Sequence, residues 1–157
     1  MTMTQTFADY VASQDARNTV QLNVTKYCHM LCDALKQNYI EYSIKQHQRS
    51  IENLNYTYET TDSVQTKYHE KCIENLKNGQ CDYDFTFESG RKYHKVIMNA
   101  HGSQSVHAFI DKKTGEVYKS ASWKSPAKGV RYDLRLIKDR EWLFENADWS
   151  GGYLYQR

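Results

Sequence analysis

Five side chains close together in the chain have the right types to hold a phosphate-bearing or planar ligand: Lys119, Trp123, Lys124, Lys128 and Arg131. They lie in or beside the run Ser120–Tyr132, SASWKSPAKGVRY, which contains the single proline of the protein, Pro126. Lysine ammonium groups neutralise phosphates as point charges, a guanidinium such as that of Arg131 can grip two oxygens at once, and an indole offers a flat face to a base. Pro126 fixes its own φ and Gly129 permits a sharp bend, so the segment reads as a stiff loop with a flexible exit. The spacing is not that of a Walker loop, because GxxxxGK[ST] is absent. Two bland uses stand beside the binding one: Trp123 as a plug at the edge of the core, and the cations as a solvated surface.

Other residues that could do chemistry are dispersed. His94, His101 and His107 fall on or near expected strands, and His94 with His107 could serve as an acid and base pair in a small nuclease or phosphodiesterase. Their alternative is as polar-face residues of a sheet, and no HExxH or GxSxG signature accompanies them. Cys28 and Cys32 share a helix face by their spacing, and Cys72 and Cys81 are nine residues apart, which is not the short knuckle of a structural zinc site. Cys28 sits on an apolar stripe, where cysteine is an ordinary small hydrophobe. The reading is therefore of core thiols, with no metal, no cofactor and no catalytic residue assigned. Asn23-Val-Thr25 and Asn55-Tyr-Thr57 match the glycosylation triplet by chance in a chain whose start lacks a basic and then apolar leader.

Charge is unevenly spread along the 157 residues. Residues 1–90 carry 8 Lys+Arg against 12 Asp+Glu, whereas residues 111–140 carry 9 against 4, within a formal net charge of +2. A phosphate-bearing partner would thus be drawn by local field in the second half. No run of about 18 apolar residues exists, so no membrane partner is expected.

The elements that must position these groups follow from the period of the apolar residues. Val20, Val24, Tyr27, Leu31 and Leu35 recur at helical steps, and Ile44, Ile51 and Tyr58 continue at sevens, so the helix persists toward Asn53, with a break near Asn38 as the alternative. A short helix over Thr6–Gln14 precedes it. Asp62 caps a second long helix carrying Val64, Tyr68, Cys72, Ile73 and Leu76, which Gly79 ends. Residues 1–80 thus read as a helical hairpin whose polar heptad-like steps could also pair with a second copy in a homodimer. From residue 81 to 157 the period changes to two: Tyr83–Glu88, Lys92–Asn99, Ser105–Asp111 and Glu116–Lys119 read as strands, with Val106, Ala108 and Ile110 on one side. Lys138–Asn146 reads as a short helix, and Gly151-Gly152 as a turn that lets a final strand dock Tyr153 and Tyr155. The class is α+β: a helical hairpin, a four-stranded antiparallel meander, then a short helix and strand, joined as one compact unit.

The run VHAFIDKKTGEVYKSASWKSPAKGVRYDL, followed by ADWSGGYLY, resembles a group of small uncharacterised proteins of tailed bacteriophages, including marine and cyanobacterial phages. The residues that carry the likeness are Gly115, Glu116, Val117, Tyr118, Lys119, Ala121, Ser122, Trp123, Pro126, Ala127, Lys128 and Arg131. It covers the last third to two-fifths of the chain and implies a phage origin and a setting in the host cytoplasm. It implies no chemistry. The expected function is binding of nucleic acid or a phosphate-bearing ligand by the 119–131 loop; the alternative is a protein that binds and inhibits a host enzyme or defence factor through its aromatics and helices.

Overall fold

A computed structural model describes residues 6–58 and 64–155. Helix α1 runs unbroken over Phe7–Tyr58, 52 residues. No glycine or proline lies within it, so nothing along its length strongly opposes the helical backbone. The helix continues past Asn38, and the alternative of a break there does not occur. Asn38 instead turns its side-chain carbonyl to the C-terminal segment, where it accepts the Trp149 N–H at 3.0 Å. The separate helix expected over Thr6–Gln14 is simply the start of α1. The connection to α2 and its expected cap, Asp62, lie outside the described residues. α2 spans Val64–Lys77 and lies against the C-terminal third of α1, where the Nδ1 atoms of His47 and His69 meet at 2.8 Å. Gly79 ends it with φ 81°, its N–H bonded to the Leu76 carbonyl while Gln80 reaches back to Asn75.

The sheet has five strands in sequential antiparallel order: β1 Tyr83–Ser89, β2 Tyr93–Ala100, β3 Ser103–Asp111, β4 Glu116–Lys119 and β5 Tyr132–Asp133. β5 was not expected. It is only two residues long, held by Val117 and Glu116, and carries no alternation that a sequence could display. Cross-strand register defines the faces. His94, Ile110, Val117 and Tyr132 line up on the inner face, and Lys95, Phe109 and Tyr118 on the outer one.

The core forms where the inner face meets the middle of α1. Val24, Cys28, Leu31, Cys32 and Leu35 are buried against Phe85, Val96, Ala108, Ile110 and Val117. Burial pushes the thiols of Cys28 and Cys32 up to about 12, which keeps both protonated and apolar. α3, Ile137–Asn146, adds Leu143 to the same core. The expected final strand is instead a 3-10 turn over Gly152–Leu154, entered through Gly151 at φ 84°. Tyr153 and Leu154 must both face inward, Leu154 into the core, and adjacent inward residues suit a helical turn rather than an alternating strand. No helix among the described residues is long and apolar enough to cross a membrane.

Candidate functional site

The 119–131 segment forms the far end of the β4–β5 hairpin. Ser120 bridges to Pro126, and the Ala127 N–H reaches the Lys119 carbonyl at 2.7 Å. At the tip, the Ser122 hydroxyl accepts the N–H groups of Lys124 and Ser125, which closes a tight serine turn. Beyond Pro126 the chain bulges outward at 128–130 and bends at Gly129, φ 98°. Arg131 ties this bulge down: Nη1 donates to the carbonyls of Lys128 at 2.8 Å and Gly129 at 2.6 Å, and Nε donates to the Leu154 carbonyl at 2.7 Å. Its guanidinium is a staple between hairpin and C-terminal turn, with most of its donors turned to the backbone.

The five residues that the sequence groups together are thus divided between two faces. Trp123 is 43 % exposed, which places it at the surface and not in the core. The Lys95 ammonium lies 4.7 Å from its ring centre and 5.8 Å from that of Phe109, a cation held between two aromatic groups. Tyr93 joins the patch edge-on to Phe109 and Tyr118, Phe109 itself being almost fully buried on this face. Lys124 and Lys128 are exposed on the hairpin. Lys119 goes the other way: its register partner Ala108 is in the core, and its ammonium lies 4.8 Å from the Tyr155 ring.

Nearby carboxylates do not neutralise the outer-face lysines. Asp111 accepts the N–H groups of Lys113 and Thr114 in the β3–β4 turn, while Asp133 and Glu116 are taken up by Arg135. Lys92, Lys95, Lys124 and Lys128 have no carboxylate within ion-pair distance among the described residues. Lys95, Tyr93 and Tyr118 were missed by the sequence reading. The available signal was the period of two in β2 and β4, which sets these residues on the face opposite Val96 and Val117.

The histidines depart from expectation. His94 is buried on the inner face, bonded to the Ser89 hydroxyl at 2.8 Å with its ring against Phe87, and burial lowers its basicity. His107 is an extra residue in β3: Val96 pairs with Ala108 and Ile97 with Val106, which leaves His107 unpaired in a β-bulge. The bulge puts Val106 on the outer face, contrary to the expected alternation, and aims the His107 imidazole inward at Phe85 and Tyr153. His94 pairs with Ile110, three residues from His107, so the two are not the cross-strand neighbours that an acid and base pair would require. Asp148 accepts the Ser150 N–H in the C-terminal turn.

These features describe a small α+β protein whose sheet is packed by helices on one side and presents cations and aromatic rings on the other. The chain belongs to DUF7717, a family of unknown function whose model matches residues 7–156. No curated protein and no solved structure matches it.

Proposed function

We propose that this is a phage accessory protein that works in the host cytoplasm by binding single-stranded nucleic acid across the outer face of the sheet. The phage setting rests on the likeness carried by Gly115–Arg131. The binding reading rests on one observation above others: Trp123 is exposed and held over the Lys95 ammonium, on the face of the sheet opposite the α1 core. Bases stack on Trp123, and Lys95, Lys124 and Lys128 neutralise phosphates along the hairpin. Arg131 acts indirectly, by holding the 128–130 bulge that presents Lys128, and Lys119, which faces the other side of the sheet, takes no part. In fluorescence anisotropy with a labelled 12-mer of single-stranded RNA or DNA, affinity is expected to fall steeply between 50 and 300 mM salt. Trp123→Ala should weaken binding roughly tenfold or more, the worth of about one stacked base. Binding that is absent at low salt, or unmoved by Trp123→Ala and Lys124→Ala/Lys128→Ala, overturns the proposal.

The inhibitor reading has an observation of its own. Phe7, Tyr10 and Val11 are exposed on one side of the first turns of α1, ahead of its first core residue, Val24. A host protein that co-purifies in stoichiometric amount after nuclease treatment, and is lost with Phe7→Ser/Tyr10→Ser, supports that reading; recovery of nucleic acid alone removes it.

A further inference from the structure

The inner face has an opening of its own, a cleft of about 300 Å³ where the end of the sheet meets the C-terminal turn. His107, Lys119, Ser105, Ser150, Trp149 and Tyr155 line it. The β-bulge supplies its floor, since a regular ladder would leave no imidazole at this point. Gly151 keeps the approach to the ring open: a Cβ there would come within 3.7 Å of His107 Cε1 and 4.0 Å of Nδ1.

The proton on His107 follows from its partner. Nε2 lies 2.7 Å from the Tyr153 hydroxyl. Burial keeps that phenol protonated and holds the imidazole neutral, its pKa lowered to about 4. If Nε2 carried the proton, the buried phenol O–H would have no acceptor among the described residues, a penalty of about 1–3 kcal/mol. The phenol therefore donates to Nε2, and Nδ1 carries the imidazole proton. Nδ1 makes no hydrogen bond among the described residues and borders the cleft beside Gly151. A second donor lines the same cleft. The Lys119 ammonium has no carboxylate partner among the described residues, only the Ser120 carbonyl at 3.4 Å and the Tyr155 ring.

A fixed N–H, an unpaired ammonium and two serine hydroxyls ask for an oxyanion, and two aromatic walls ask for a flat body attached to it. We propose that this cleft binds a small oxyanion-bearing ring compound of mononucleotide size, with the oxyanion on Lys119 and His107 Nδ1 and the ring against Trp149 and Tyr155. The site is on the opposite side of the sheet from the outer-face nucleic-acid surface and does not depend on it.

The test is NMR on the full chain at pH 7, following the His107 ring signal, identified by its loss in His107→Gln. The probes are adenosine monophosphate, adenosine, inorganic phosphate and benzoate. A saturable shift with adenosine monophosphate, at least tenfold weaker with adenosine, supports a phosphate ligand; a saturable shift with benzoate alone supports the same site with a carboxylate ligand. Lys119→Gln should weaken either by at least tenfold. The triple variant Trp123→Ala/Lys124→Ala/Lys128→Ala should bind the same probe unchanged, which separates this site from the outer surface. No saturable shift with any anion, an equal response to adenosine, or retention of binding in Lys119→Gln overturns the proposal.

Discussion

At the scale of single residues, His107 carries the clearest consequence. Burial depresses its pKa from the ordinary 6.5 to about 4, against an opposing pull from Asp148. Between those values the unfolded chain binds a proton that the folded chain refuses, so stability falls as pH drops from about 6.5 to about 4 and levels off below. The full difference is on the order of 3 kcal/mol. Urea titrations at pH 7 and pH 4.5 should show most of this loss, and His107→Gln should reduce it, the remainder coming from His94, while lowering stability at pH 7. An unchanged acid slope in the variant would mean that the imidazole is not held neutral. The sequence showed a histidine in β3 but could not reveal its burial, because a bulge shifts the phase of alternation without altering composition. Trp123 was open to two uses for a related reason: the type of an indole does not say which side of a hairpin it takes.

At the scale of elements, the β4–β5 hairpin separates two roles that the sequence had merged. Lys128 sits exposed on the bulge, and Arg131 fastens the bulge to its own backbone and to the Leu154 carbonyl. Hydrogen bonds from a charged donor contribute about 1.5–3 kcal/mol each, less where exposed. Arg131→Ala should therefore lower the unfolding free energy by roughly 2–3 kcal/mol, whereas Lys128→Ala should change it by no more than about 0.5 kcal/mol. Equal losses in thermal and urea unfolding would refute the division of labour. The period of apolar residues exposed α1, α2, β1 to β4 and α3, with the Glu116–Lys119 limits as read. It could not expose β5, whose two residues lack a period, and it left a break near Asn38 open although one asparagine disfavours helix by only a fraction of a kcal/mol; the bond from its side chain to Trp149 could not be read from the order of residues.

At the scale of the whole molecule, the charge imbalance read from the sequence acquires a geometry. Lys92, Lys95, Lys124 and Lys128 belong to the sheet and its hairpin, while the acidic excess of residues 1–90 comes mostly from Asp82, Asp84 and Glu88 in and beside β1, the helical residues 1–80 being nearly balanced. What linear order could not convey is that the cations of the second half are divided between two faces of the sheet, Lys95 on one and Lys119 on the other. The same molecule also has a long axis. At about 1.5 Å per residue, the 52 residues of α1 extend roughly 78 Å, against a radius of gyration of about 15 Å for a compact chain of this length. Small-angle scattering should accordingly give a maximum dimension near 80 Å, and a value near 45 Å would show that α1 folds back on itself. A rod of that length sets a fixed separation between whatever meets its first turns and whatever meets α2 at its far end. The two ends of α1 are thereby held farther apart than the sheet is wide, and only its middle forms a wall of the core.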